Sequence, residues 1–369
     1  MDTDPVRSEK DAPGEHPGDN NPGELPSEYR PSPGLFYKQD SLELPLRSSH
    51  TEGQGPFDDR QDTPNIEQVP WTPPYYTALP VVETTFSALG LPVLLFICTI
   101  FTTLWAGAYQ GRTHLLQGAW DFLRSSPELL YQGIPFAGTL LGILVTHEFG
   151  HFWLSRIHRV PASLPLFIPG PPQFIGTFGA IIRTRSPIMN RRALFDIGVA
   201  GPIAGFLVAV PALIVGLALS ETVPREHVYG LQLGEPLLLQ FLAWIVVGSI
   251  PETFDLVLHP IGFAAWFGLF ITALNLIPIG QLDGGHVAFA LLGSRQRTLA
   301  LAMLPILLAL GVYGWPGWFL WAGLAGLVGL AHPPVVDPHA SLGRGRVLIG
   351  WAALGIFILT FSPVPFYFG

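Results

Sequence analysis

The chain has 369 residues, 49% of them hydrophobic and only 12% charged, and its mean hydropathy is +0.40. These values are typical of a protein with several membrane-spanning helices. The single cysteine, Cys98, excludes an internal disulfide bond and argues against a zinc site built from thiolates. The formal net charge is −8, and no basic patch suggests a nucleic-acid partner.

The acidic charge is concentrated near the N-terminus. Residues 1–75 carry 15 Asp and Glu against 6 Lys and Arg, and they include 13 prolines. Such a segment buries too little apolar surface to offset the entropy lost on ordering, so we predict a disordered tail outside the membrane. It lacks the apolar core of a signal peptide and the arginine-rich, acid-poor composition of a transit peptide. We therefore expect a bacterial inner membrane rather than a plastid membrane.

Long apolar segments follow the tail and predict an all-α polytopic membrane protein. A helix of about 20 apolar residues crosses the bilayer core. A shorter apolar segment, Leu237–Ile250, is expected to form a helix that does not cross. The seven predicted transmembrane helices are Thr85–Ala108, Ile134–Ile157, Ala193–Leu219, Ile261–Ile279, Leu299–Tyr313, Trp315–Leu330 and Val347–Phe361.

The arginines predict the orientation of these helices. If Leu237–Ile250 does not cross, most of the arginines after the tail lie in loops on one face, and only Arg112, Arg124 and Arg225 lie on the other. The positive-inside rule then places the N-terminal tail and the C-terminal end of Ile134–Ile157 in the cytoplasm. The arginines on the cytoplasmic face are Arg156, Arg159, Arg183, Arg185, Arg191, Arg192, Arg295, Arg297, Arg344 and Arg346.

The predicted helix Ile134–Ile157 contains the pattern His-Glu-x-x-His, formed by His147, Glu148 and His151. A charged side chain at the centre of a membrane helix costs roughly 2.5–3.5 kcal/mol on insertion scales, which favours a functional role over an accidental pair of histidines. Residues four apart lie on one face of an α-helix, so both imidazoles can bind the same zinc ion. Glu148 beside them can act as a general base towards water.

A third ligand is expected because catalytic zinc usually has three protein ligands. Asp283 follows a Pro/Gly-containing stretch at the end of Ile261–Ile279. Irregular backbone at membrane depth is tolerated only where it is buried in protein or lines a wet cavity, so we predict that Asp283 points inward to the metal. This prediction requires that Leu237–Ile250 does not cross, since otherwise Asp283 would emerge on the face opposite His151.

The two motifs resemble those of the site-2 protease family, the intramembrane zinc metalloproteases. They are His147-Glu-Phe-Gly-His151 and Asn275-x-x-Pro-x-x-x-Leu-Asp-Gly284, and the similarity runs from about Ile134 to Gly293. The compact branch of the family without a PDZ domain is the most similar, because too few residues separate the third span from the next one.

The resemblance implies the roles of individual residues. One zinc ion per chain would be bound by His147, His151 and Asp283, and Glu148 would be the general base. Asn275 would position the substrate or stabilise the oxyanion.

The resemblance also implies a zinc-dependent intramembrane endopeptidase that acts in regulated intramembrane proteolysis. Its partners would be transmembrane protein substrates and the lipid bilayer. The orientation predicted from the arginines places its active site towards the cytoplasm. The expected division of the chain is a cytoplasmic tail (1–75), a first transmembrane helix with an external loop (76–132), a catalytic core (133–293) and C-terminal transmembrane helices (294–369).

Two further segments, Leu164–Pro169 and Phe174–Thr184, are predicted to form a small membrane-associated β-hairpin. We expect one edge of this hairpin to pair with an unwound substrate by strand addition.

Other polar and small residues have simpler interpretations. His286 could support the metal centre from outside its ligand set, or it could be a helix or loop histidine without such a role. The pattern Gly201-x-x-x-Gly205 is interpreted as a helix-packing motif. A second metal site is disfavoured by the proline-rich surroundings of its candidate ligands, His332, Asp337 and His339.

Two other functions remain as alternatives. A catalytically silent homologue would keep the fold and act as a scaffold or chaperone. A metal-ion transporter would use intramembrane His and Asp residues as a permeation path, although we find no clear internal repeat of the kind common in transporters.

Overall fold

The computed structural model describes residues 86–110, 118–182, 188–227, 231–330, 332, 335–337 and 339–368. The predicted disordered tail, residues 1–75, lies outside this range. The described part is mostly helical. Its α-helices are α1 (Phe86–Gln110), α2 (Ala119–Ser125), α3 (Ile134–Ile157), α4 (Arg191–Ala218), α5 (Leu237–Val246), α6 (Pro260–Asn275), α7 (Asp283–Leu292), α8 (Arg295–Tyr313), α9 (Gly317–Val328) and α10 (Gly343–Thr360).

Five of the described helices are long and apolar enough to cross a membrane, namely α1, α3, α4, α8 and α10. Two helices expected to cross are shorter, with 16 residues in α6 and 12 in α9, so the predicted count of seven is not confirmed. The helix α6 ends before the predicted boundary because Pro278 lacks a backbone N–H and Gly280 adopts a positive φ of 52°. The helices α2 and α7 were not predicted from the sequence.

The helix α4 packs against α3, α6 and α7 and occupies the middle of this group. Helices in lipid gain little from the hydrophobic effect when they associate, so close packing at small residues stabilises them instead. A side chain at Gly150 of α3 would lie 2.6 Å from the carbonyl oxygen of Ala200 in α4. Near the other end of α4, Gly216 packs directly on Gly262 of α6. These contacts leave no room for larger residues and fix α4 between its neighbours.

Six short strands form three antiparallel pairs in the described residues. They are β1 (Leu166–Pro169) with β2 (Thr177–Ile181), β3 (Glu221–Pro224) with β5 (Phe254–Val257), and β4 (Leu231–Leu233) with β6 (Phe366–Phe368). The strands β1 and β2 lie within the two segments predicted to be extended, and their association with the membrane stays a prediction.

Candidate metal centre

The helix α3 brings two histidines and a glutamate to its buried face. His147 Nε2 lies 3.2 Å from His151 Nε2, because residues four apart in a helix are neighbours on its surface. His147 is 3% exposed and Glu148 is 8% exposed, so both polar side chains are inside the protein. Burial of this kind requires partners for the polar atoms.

Asp283 reaches the histidines from the first residue of α7. Its Oδ2 atom lies 3.3 Å from Nε2 of His147 and 3.3 Å from Nε2 of His151. The chain turns sharply between α6 and α7, and Gly284 packs so closely on the carbonyl of Leu276 that a side chain would collide with it. This close packing brings the start of α7 back towards α3, and Asp283 with it.

The three donor atoms fit a single zinc ion. Their separations of 3.2, 3.3 and 3.3 Å form a nearly equilateral triangle. Ligands bound tetrahedrally to zinc at 2.0–2.1 Å are separated by about 3.3–3.4 Å, so one ion can contact all three atoms. A search of the described residues for three or more His, Cys, Asp or Glu side chains with donor atoms within 4.8 Å of one another finds this group. Two histidines and one carboxylate are also a known ligand set for catalytic zinc.

A backbone carbonyl of α4 orients one of the imidazoles. His151 Nδ1 donates a hydrogen bond to Ile197 O at 2.8 Å, which leaves the lone pair of Nε2 for a metal ion. Ile197 could not be identified from the sequence, because a backbone carbonyl acceptor leaves no side-chain signal.

The two glycines of the predicted packing motif lie against the metal-binding histidines. A side chain at Gly201 would collide with the His151 ring, and one at Gly205 would come within 3.2 Å of His147 Nδ1. The motif therefore serves helix packing, as predicted, and it does so directly beside the metal centre.

Asn275, the last residue of α6, also contacts the centre. Its Nδ2 atom lies 3.2 Å from His147 Nε2. An amide at this position can donate to an atom bound next to the metal. Its predicted role in substrate or oxyanion binding stays a prediction.

His286 is directed to a histidine that lies far away in the sequence. Its Nδ1 atom lies 2.6 Å from His332 Nε2, and the His332 ring stacks on Phe289 with centroids 4.5 Å apart. The backbone N–H of His332 donates to the buried side chain of Gln296 at 3.3 Å. This pair was not predicted from the sequence, since the two histidines are 46 positions apart. None of these interactions joins His286 directly to a metal ligand.

The fold and the centre define a helical membrane protein with a His, His, Asp metal site and an adjacent glutamate. A sequence model of peptidase family M50 matches residues 135–312. The match includes both motifs and confirms the resemblance of this part of the chain to the site-2 protease family. Within the described residues 219–227 and 231–259, the segment between α4 and α6 contains short strands, a short 3₁₀ helix (Arg225–His227) and α5, with no PDZ domain.

Two relatives in plants illustrate the similarity. "Probable zinc metalloprotease EGY2, chloroplastic" of Oryza sativa subsp. indica is 34% identical over 220 residues, which are 57% of this chain and 38% of the relative. "Probable zinc metalloprotease EGY1, chloroplastic" of Arabidopsis thaliana is 33% identical over 247 residues, which are 64% of this chain and 45% of the relative. The chain thus spans less than half the length of these curated relatives.

The names of these relatives bear on localisation. Both names include the word chloroplastic, so the expected location in a bacterial inner membrane has no support from them. The apolar helices and the family match agree with the broader prediction of a membrane protein.

Proposed function

We propose that this chain is a zinc-dependent intramembrane endopeptidase that hydrolyses peptide bonds in or near transmembrane segments of membrane proteins. The observation that carries the proposal is the position of the metal centre. Two histidine ligands and a glutamate lie in α3, a helix long and apolar enough to cross a membrane. The match to peptidase family M50 and the names of the two relatives support a metalloprotease.

Each residue of the centre has a role in this proposal. His147, His151 and Asp283 hold one zinc ion per chain. A bound zinc ion supplies a Lewis acid that polarises the scissile carbonyl and makes water a stronger nucleophile. Glu148 takes a proton from the attacking water and delivers it to the leaving amine. Asn275 donates from its amide to the carbonyl oxygen of the substrate, a role that its distance of 3.2 Å from His147 Nε2 supports.

We further propose seven crossings of the membrane, with the N-terminal tail in the cytoplasm. The contact of Gly216 with Gly262 supports a crossing by α6, because α6 then starts where α4 ends and runs back towards Asp283. The pairing of β4 with β6 supports a crossing by α9. Paired strands must lie on the same face of the membrane, so the chain must cross an even number of times between β4 and β6. The helices α6, α8 and α10 give three crossings, and α9 supplies the fourth.

The proposed activity is tested with zinc content and cleavage of a single-span membrane substrate in liposomes. The parent protein is compared with Glu148→Gln, which keeps the size of the side chain and removes the base. We expect both proteins to retain zinc and cleavage by the variant to fall about 100- to 10,000-fold. The control is Glu128→Gln, at an exposed position before α3, which should cleave as the parent does.

The other outcomes separate the alternatives. A parent without zinc would overturn the metal centre, and equal cleavage by parent and Glu148→Gln would overturn the role of Glu148. Zinc binding without cleavage of any substrate in a panel would favour the silent homologue. Zinc uptake into the liposomes in place of cleavage would favour the transporter.

A further inference from the structure

The helix α7 carries the metal ligand Asp283 as its first residue and has only ten residues. Its N-terminal turn is packed tightly, because side chains at Gly284 and Gly285 would collide with the carbonyls of Leu276 and Gly280. Ten residues form fewer than three helical turns, so a displacement of one end tilts the whole of α7. The position of its C-terminal end therefore influences the direction in which the Asp283 carboxylate points.

Arg191 binds that C-terminal end. Its guanidinium donates through Nε to Ala290 O and through Nη2 to Leu291 O at 2.8 Å. Carbonyls in the last turn of a helix lack intrahelical donors, so these two oxygens are free to accept from a side chain. The positive charge also interacts favourably with the negative end of the helix dipole, and the rigid fork of the guanidinium suits two adjacent acceptors.

The backbone of Arg191 is itself held in place. Arg191 is the first residue of α4, and the preceding Asn190 caps this helix by accepting from Ala193 N at 2.9 Å. The N–H of Arg191 donates to Asp337 O at 3.1 Å. Further along the same helix, Ile197 O accepts from His151 Nδ1. One helix thus contacts both the histidine ligand and, through Arg191, the helix that carries the aspartate ligand.

We propose that Arg191 is a positioning residue of the metal centre, which holds the end of α7 against α4 so that Asp283 stays within reach of His147 and His151. The inference rests on the proposed function only in requiring that the centre binds zinc. It assigns to Arg191 no contact with substrate or with the reacting atoms.

The neighbouring arginine provides a matched control. Arg192 donates from Nε to Ser341 O at 2.6 Å and from Nη2 to Ser341 Oγ at 3.1 Å. Ser341 lies before α10, so these contacts do not involve α7. Arg191→Gln and Arg192→Gln remove the same charge from the same turn of α4, but only Arg191→Gln removes hydrogen bonds to the end of α7.

The test measures zinc affinity of the full chain in detergent by competition with a chelator, together with the visible absorption spectrum after cobalt(II) replaces zinc. We expect Arg191→Gln to bind zinc roughly tenfold more weakly, since residues that support metal ligands typically contribute 10- to 100-fold to affinity. The cobalt spectrum of its folded fraction should change, because it reports the geometry of the ligands. Arg192→Gln should match the parent, and Arg191→Lys should recover part of the affinity.

Two outcomes would overturn the inference. One is an unchanged zinc affinity in Arg191→Gln. The other is an equal loss in both Gln variants with an unchanged cobalt spectrum, which would indicate only a general effect on stability. A parent that binds no zinc would instead overturn the proposed function, so the two failures are distinguishable.

Discussion

At the residue scale, the metal centre depends on Gly201, a residue without a side chain that could bind metal. Gly201 of α4 lies directly against the His151 ring, and any side chain there would collide with it. The ring has little freedom to retreat, because its Nδ1 atom is held by Ile197 O at 2.8 Å. The position of Nε2 is thus determined from two sides by one helix.

We predict that Gly201→Ala weakens zinc binding roughly tenfold, within the range found when support of a metal ligand is lost, and reduces cleavage at least as much. The added methyl group must displace the imidazole from its position facing Asp283. Chelator competition measures the affinity. The control is Gly142→Ala in α3, where a side chain would meet no atom within 4 Å. Gly142→Ala should bind zinc as the parent does, and equal affinities for all three proteins would contradict the prediction.

At the element scale, the strand pair β1–β2 packs against α1, and one edge of β2 is not paired with another described strand. The helix α1 holds the pair, since Thr102 donates to Gly176 O at 2.6 Å and the rings of Phe96 and Phe167 lie 4.9 Å apart. In the described residues, β2 has no strand partner on the side away from β1, and the side chain of Phe178 in β2 is 69% exposed. The backbone N–H and C=O groups of a transmembrane helix are hydrogen-bonded to one another within the helix. A substrate must therefore unwind locally before a protease can cut it. An open strand edge offers new partners to the unwound backbone.

This hypothesis predicts that proline in β2 impairs cleavage where the lost N–H points away from β1. Proline removes a backbone donor, so cleavage of a membrane substrate should fall at alternate positions of the strand while zinc content is kept. The scan covers Phe178→Pro, Ala180→Pro and Ile181→Pro and omits Gly179, whose φ is 91°. Valine at the same positions keeps the N–H and serves as the control. Equal cleavage by the proline and valine variants would contradict the hypothesis of strand addition.

The sequence predicted some elements well and missed others for physical reasons. The helix α3 begins and ends at the predicted residues, because a long apolar segment carries a strong signal for a membrane helix. The helix α7 was missed because it is short and begins with Asp283-Gly-Gly, a pattern typical of loops. The hydrogen bond between Arg191 and Leu291 joins residues 100 positions apart, and no local sequence pattern predicts it. His147, Glu148 and His151 could be identified as candidates because polar side chains are unusual in an apolar helix, and Asp283 because it follows a Pro/Gly-containing stretch at membrane depth.

At the scale of the whole molecule, the weakest support for seven crossings is the length of α9. Its 12 residues extend about 18 Å at 1.5 Å per residue, which is less than the bilayer core of about 30 Å. Local thinning of the bilayer accommodates a short helix at modest cost. A crossing by α9 is supported instead by the strand pair β4–β6: if α6 crosses, α9 must also cross for both strands to lie on one face.

The chain permits a direct test, because Cys98 is its only cysteine. In a Cys98→Ser background, Tyr313→Cys marks the end of α8 and His339→Cys marks the segment before α10, and both positions are exposed. A crossing by α9 predicts that a membrane-impermeant maleimide labels Tyr313→Cys from the external face of intact cells and labels His339→Cys only after the membrane is opened. Thr222→Cys, in β3, is the external reference and should behave as Tyr313→Cys does. Labelling of Tyr313→Cys and His339→Cys from the same face would show that α9 does not cross, and the pairing of β4 with β6 would then require α6 to remain on one face as well.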